Sequence, residues 1–204
     1  MLARTEYTIV KNQIIQTMVH KFDLKKAGIL DDPERVKILN PAIILEKLGL
    51  TKEMIIADLG CGTGFFSIPV ARRVKKVFAL DIQEEMLDIL REKIKKEKIT
   101  NIEVILSGES YIPLSDKSVD ILLMANVFHE LEDKLSLLKE VKRVLKINGR
   151  LMIIDWKKIE MDFGPPFQER LYEKEVIDTY YGNGFMLLES SNIGPYNYLL
   201  IFGR

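Results

Sequence analysis

From Met54 onward, short apolar runs alternate with longer stretches whose apolar residues recur every three or four positions. Residues 54–59, 76–81, 102–107, 119–125 and 150–156 read as strands, and 64–73, 84–97, 133–146 and 172–181 as helices. In 84–97, Met86, Leu87, Leu90 and Ile94 fall on one helical face and charges fill the rest. Asn148-Gly149 predicts a left-handed stop for the helix over 133–146. Strands separated by helices predict a parallel sheet covered on both faces. The tail breaks this alternation. Residues 185–190 and 196–202 are strand-like, and Asn192-Ile193-Gly194-Pro195 between them leaves no room for a crossover helix. So short a link forces antiparallel pairing.

Upstream of Met54 the pattern is helical. Asp32-Pro33-Glu34 supplies an N-cap and a proline at the first helical position, Asn40-Pro41 repeats that signal, and Gly49 ends the second helix. Residues 5–18 are a further candidate helix, weakened by Thr and Ile. The expected division is an N-terminal helical segment, 1–50, and a sheet domain, 51–204. Helices ahead of the first strand can reach the sheet's carboxyl edge. The segment is therefore expected to act as a lid, with His20-Lys21-Phe22-Asp23 closing a pocket; the alternative is packing on the outer face.

The length of 204 residues suits one domain, with or without a small cap. The 30 basic and 30 acidic residues cancel, so bulk charge points to no nucleic-acid partner. Lys95-Lys96 and Lys157-Lys158 read as solvated surface. The lone Cys61 excludes an internal disulfide and a cysteine-based zinc cluster; no metal is expected, and the compartment reads as cytoplasmic. No apolar run approaches the roughly 18 residues of a membrane span, and the N-terminus lacks a signal-peptide core.

The densest chemistry lies where the first strand runs past Asp58 into Gly60-Cys61-Gly62-Thr63-Gly64. Glycine permits positive φ and close approach of a ligand, and this end of the first strand is where nucleotide-like cofactors sit. A dinucleotide fingerprint needs its third glycine at position 65, which is Phe65. A carboxylate at Asp58 would also repel phosphates and suits a cationic or hydroxyl-rich ligand. Asp81 ends the second strand roughly 20 residues on, where a carboxylate accepts from both ribose hydroxyls. NAD would use that residue as well.

The stretch 54–66 resembles motif I of the class I S-adenosylmethionine-dependent methyltransferases. The resemblance covers roughly residues 34–204, with Asp81, Glu109, Asn126 and Arg143-Val144-Leu145-Lys146 before Gly149 in family order. Residues 112–120 resemble the ubiquinone/menaquinone-biosynthesis and arsenite-methylating branches, although the several cysteines of arsenic chemistry are missing. Asp155-Trp156-Lys157-Lys158 and Gly164-Pro165-Pro166 resemble small prokaryotic members of unassigned substrate. Those begin near a stretch matching Met18-Val19-His20-Lys21-Phe22-Asp23, which leaves residues 1–17 as an extension or an unused upstream start.

The resemblance implies a Rossmann-like, doubly wound, seven-stranded α/β sheet, mostly parallel, with an antiparallel C-terminal hairpin. It implies S-adenosylmethionine as cofactor and S-adenosylhomocysteine as product. Asp58 would serve the methionine end, and Gly60, Cys61, Gly62 and Gly64 the cradle. Asp81 and Ile82 would take the ribose, Glu109 and the backbone of Ser110 the adenine, and Asn126 the methionine end again. Glu109 stands where many members carry Asp. His129 is expected either to accept a proton near its ordinary pKa of about 6.5 or only to orient its loop. Asp155 and Trp156 would orient a nucleophile and wall a pocket, or simply pack. The expected reaction is methyl transfer to a small-molecule nucleophile. The alternatives are a nicotinamide-dependent oxidoreductase and a non-catalytic S-adenosylmethionine-binding module.

Overall fold

The computed structural model describes residues 24–204. The readings on residues 1–17, on the helix over 5–18 and on His20-Lys21-Phe22-Asp23 lie outside them. A 3-10 segment, Leu24–Asp31, leads into α1 (Pro33–Leu39) and α2 (Pro41–Lys47). Asp32 caps α1 by accepting from the Glu34 N–H at 2.8 Å. Asn40, at φ 38°, closes α1 and opens α2.

The sheet comprises β1 (Ile55–Leu59), β2 (Lys76–Asp81), β3 (Ile102–Leu106), β4 (Val119–Ala125), β5 (Leu145–Trp156), β6 (Met186–Ile193) and β7 (Asn197–Gly203). The order is β3-β2-β1-β4-β5-β7-β6. All pairs are parallel except β5–β7 and β6–β7, so the hairpin forms as the short link requires. Intervening helices are α3 (Ser67–Ala71), α4 (Glu84–Glu97), α5 (Lys134–Val144) and α6 (Glu173–Tyr181). Strand pleat divides the core in two. Leu122 and Met124 of β4 face Leu137, Leu138 and Val141 of α5, while Ile121 and Leu123 face Ile44, Leu45 and Val70 on the other side. Burial on both faces is why β4 reads as an unbroken apolar run. None of the described helices is long and apolar enough to cross a membrane, and no group of metal-ligating side chains occurs among the described residues.

Most boundaries hold or shift by one residue, β6 runs on to Ile193 rather than ending at 190, and two helices differ more. The helix read over 64–73 is only Ser67–Ala71, because Gly64 holds φ 93°. The helix read over 133–146 ends at Val144, where Leu145 turns extended (φ −66°, ψ 135°) and starts β5. Asn148 does adopt the left-handed region, at φ 66°. It does so inside β5, where pairing with β4 jumps from Val119–Leu145 to Ile121–Arg150. The bend holds glycine at 149, where a Cβ would lie 2.8 Å from the Lys146 carbonyl.

Candidate cofactor and active site

The chain order reverses between β1 and β4, and the cleft opens at the carboxyl ends of those strands, as in other doubly wound sheets. Its volume is about 760 Å³, within the range of small-molecule sites. The glycine turn forms one wall. Gly60 and Cys61 N–H donate to the Leu80 carbonyl at 2.8 and 2.9 Å, and Gly62 N–H donates to Asp81 Oδ2 at 2.8 Å. Gly60 has φ 71°, and a Cβ there would lie 2.2 Å from Val127 Cγ2. A Cβ at Gly64 would lie 2.4 Å from Leu90 Cδ1. At these two positions protein side chains, rather than a ligand, occupy the space that glycine leaves. Gly64 does not line the cleft, whereas Gly60, Cys61 and Gly62 do. Burial pushes the Cys61 thiol well above its usual range, with the Asp58 and Asp81 charges adding to it, so it stays protonated.

Asp58 is buried and accepts from Ser67 Oγ at 2.5 Å. Burial, helped by the charge of Asp81, raises its pKa to about 6. Asp81 also takes the Gln83 N–H on Oδ1 at 3.0 Å, tying the turn to the start of α4. A carboxylate oxygen carries two lone pairs and can accept a hydroxyl beside a backbone N–H. Ile82 and Glu109 line the cleft, with Glu109 Oε1 taking the Glu132 N–H at 2.7 Å. Ser110 does not line it. Asn126 sits at φ 59°, donates its N–H to the Ile154 carbonyl at 2.7 Å and accepts from Asn197 Nδ2 at 3.0 Å.

The opposite half is built from the ends of β4 and β5 and the loop after β5. His129 Nδ1 is 2.6 Å from Asp155 Oδ1, and the His129 N–H donates to Oδ2 at 3.0 Å. Burial alone would lower the His129 pKa. The charge and hydrogen bond of Asp155, with Glu130 and Glu169, outweigh it and raise the pKa above 6.5. Glu130, desolvated and close to Asp155, Asp81 and Glu169, rises to about 7 despite the opposing His129. Gly164, at φ 81°, brings its backbone against Trp156, where a Cβ would be 3.3 Å from the indole. Phe163 packs edge-on against Trp156 (6.0 Å) and Tyr196 (4.7 Å). Arg170 is buried and donates to the carbonyls of Pro165 (2.8 Å), Ile159 (2.5 Å) and Phe163 (2.9 Å), which fixes this aromatic loop.

Comparison with known proteins gives the family. The family described as a methyltransferase domain matches residues 57–153. The crystal structure of a SAM-dependent methyltransferase from Aquifex aeolicus matches with a TM-score of 0.85 at 39% identity, covering 90% of this chain and 99% of that one. The chain belongs to the S-adenosylmethionine-dependent methyltransferases. An uncharacterised methyltransferase-like protein of Schizosaccharomyces pombe is 37% identical over 112 residues, 54% of this chain and 41% of its own length. A demethylmenaquinone methyltransferase of Lactococcus lactis is 33% identical over 114 residues, 54% of this chain and 45% of its own length. The chain thus spans less than half the length of these curated relatives.

The family cofactor, S-adenosylmethionine, carries positive charge on sulfur and on its amine, and the lining of this methyltransferase suits it. Asp58, Asp81, Glu109 and Glu130 all line the cleft. The nicotinamide reading falls with the family assignment. Sequence reasoning brought Asp58, Asp81, Glu109, Asn126, His129 and Asp155 to one sheet edge, and all but Asp155 line the cleft directly. Asp155 lies behind His129, 1% exposed, so it touches the imidazole rather than the cavity. Arg35, Glu130, Glu169 and Arg170 were missed. The helix start at Asp32-Pro33 would have placed Arg35 in a first turn, and nothing local would have aimed it at the site.

Proposed function

We propose that the protein transfers a methyl group from S-adenosylmethionine to a nucleophilic atom of a small molecule, with His129 accepting the proton that the acceptor loses. The observation that carries this reading is the His129–Asp155 contact of 2.6 Å at the cleft wall. A carboxylate on Nδ1 keeps the proton there and leaves Nε2 as the basic nitrogen. Nε2 is 3.8 Å from Glu130 Oε1, too far for a hydrogen bond. The bound cofactor supplies a methyl group already activated by a positive sulfur. The residues therefore orient the partners, exclude water and remove a proton.

In this reading Asp58, Gly60, Cys61, Gly62 and Asn126 hold the methionine half, Asp81 and Ile82 the ribose, and Glu109 the adenine amine. Gly64 and the backbone of Ser110 complete that set, although neither residue lines the cleft. Trp156, Phe163, Pro165, Pro166 and Tyr196 offer the acceptor an apolar wall. The Lactococcus relative, by name a demethylmenaquinone methyltransferase, supports an acceptor with an apolar ring. The lone buried Cys61 supports a cytoplasmic setting. Residues 24–50 contribute Leu30, Asp32, Glu34, Arg35, Ile38 and Leu39 to the cleft lining, which supports a covering role for the N-terminal segment.

Labelled S-adenosylmethionine incubated with a size-fractionated extract of the source organism tests the reading. Label should enter a small-molecule fraction, and His129→Gln should slow transfer roughly 10²- to 10⁴-fold with S-adenosylhomocysteine affinity unchanged. Label confined to macromolecules overturns the substrate class, binding without transfer indicates a non-catalytic module, and full activity in the variant removes the base.

A further inference from the structure

We propose that Arg35 grips the carboxylate of the cofactor's methionine moiety, making α1 a working part of the site and the enzyme selective for the complete amino-acid head. The proposal rests on the cofactor reading above. Among the described lining residues, Arg35 is the single guanidinium or ammonium, set against Asp58, Asp81, Glu109, Glu130, Asp162 and Glu169 and beside Asp32 and Glu34 on its own segment. The cofactor brings two positive groups and one carboxylate. That carboxylate would be repelled along most of this lining and attracted at Arg35.

The guanidinium is held from two sides. Nη1 donates to the Leu30 carbonyl at 2.8 Å, and Cζ stands 4.2 Å from the centroid of the Phe65 ring, itself a lining residue. These contacts fix the plane of the fork, and its other N–H groups bond to no described residue. A carboxylate takes two parallel hydrogen bonds from such a fork. Asp31, four residues earlier, is engaged elsewhere. It accepts from Thr63 Oγ1 at 2.9 Å and from Lys93 Nζ at 2.6 Å, which fastens this segment to the glycine turn. Leu30 reinforces the seam, since a Cβ on Gly62 would sit 3.2 Å from its Cδ1.

Asp58 is near enough to Arg35 for each charge to bias the other's titration. An α-amino acid head needs one cation and one anion, and Arg35 and Asp58 supply both within one cleft lining. Burial pushes the Arg35 guanidinium down to about 10, against the raising pull of Asp31 and Asp58. A cation so desolvated gains from an incoming anion.

Calorimetry with S-adenosylhomocysteine and its decarboxylated analogue, S-adenosyl-3-thiopropylamine, separates the possibilities. Wild type should prefer S-adenosylhomocysteine about 10- to 100-fold. Arg35→Ala should erase that preference while holding analogue affinity within about threefold. Arg35→Gln, which keeps a polar side chain without the charge, should erase it too, and Arg35→Lys should keep part of it. Equal loss of both ligands, or a preference retained in the Ala and Gln variants, overturns the proposal. Failure of wild type to bind S-adenosylhomocysteine would instead strike the cofactor reading, and the first titration reports that separately.

Discussion

Gly60→Ala tests why motif I carries glycine here. If the residue only clears a path for the cofactor, alanine should spare the fold and reduce ligand affinity alone. The structure gives a different reason. The new Cβ would lie 2.2 Å from Val127 Cγ2 and 3.2 and 3.3 Å from Cγ1 and Cβ, against the 3.5–4.0 Å of ordinary carbon contact. Val127 cannot swing aside easily. Its χ1 is stiff, Asn126 before it is held left-handed at φ 59°, and after it Phe128 is buried and the His129 N–H is tied to Asp155. Alanine at φ 71° costs about 1–2 kcal/mol, and overpacking a further 1–3 kcal/mol or so. The sum, about 2–5 kcal/mol, is a large part of a typical domain's stability. Urea unfolding should show a lower midpoint at unchanged slope. Adding Val127→Ala should recover the overpacking share, a coupling of about 1–3 kcal/mol, and leave the backbone share. Stability within about 0.5 kcal/mol of wild type, or no recovery in the double variant, refutes the argument.

Three further outcomes are expected. Asp155→Asn removes the charge that raises the His129 pKa, so the acid limb of the kcat–pH profile should move to lower pH and kcat should fall; an unmoved limb sinks the base assignment. Asp81→Ala should cost S-adenosylhomocysteine affinity about 1.5–3 kcal/mol and also lower the unfolding midpoint, because the Gly62 and Gln83 N–H groups lose their acceptor; affinity lost with no change in unfolding contradicts the double role. Asp58 has a folded pKa of about 6 against 3.8 unfolded. Between those values the folded state binds more protons, so rising pH should remove about 3 kcal/mol from the cofactor-free protein. Urea unfolding at pH 4 and pH 7 should show that slope in wild type and not in Asp58→Asn, and equal slopes would refute it.

Where the sequence predicted boundaries well, local pattern and tertiary role coincide. β2 and β4 match the expected ranges because their inward and outward residues are both buried, and α4 matches because its charged face ends at Lys98, a left-handed cap. The two misplaced helix boundaries arise where helical spacing outlasts the helix. Leu137, Leu138, Val141, Val144 and Leu145 keep helical spacing, yet Leu145 pairs with Val119 and leaves the helix. Phe65 and Phe66 look like a helical start, but Gly64 at φ 93° keeps the turn open and the helix begins at Ser67, with Leu90 filling the space where a Cβ at Gly64 would lie. The first decision comes from a residue far along the chain and the second from backbone conformation, and periodicity registers neither.

The site divides in the same way. Asp58, Asp81, Glu109, Asn126 and His129 were legible because each follows a strand end, and strand ends converge wherever parallel strands lie side by side. Asp155 was legible as a residue at that edge, while its service to the imidazole was not. Arg35 reaches the cleft through a helix start, and Arg170 supports it from outside by holding the loop after β5 through three carbonyls; neither position carries a motif. Composition was least informative about electrostatics. The chain has 30 basic and 30 acidic residues, yet the described cleft gathers carboxylates around one guanidinium. Neutral overall charge and a strongly acidic interior are compatible because lysines such as Lys95 and Lys96 sit on the outer surface of α4. Burial raises the pKa values of Asp58 and Glu130, and the neighbouring carboxylates add to it. A cofactor positive at sulfur and amine would bring compensating charge to these buried carboxylates, so the lining that is costly to bury is also one that favours such an occupant.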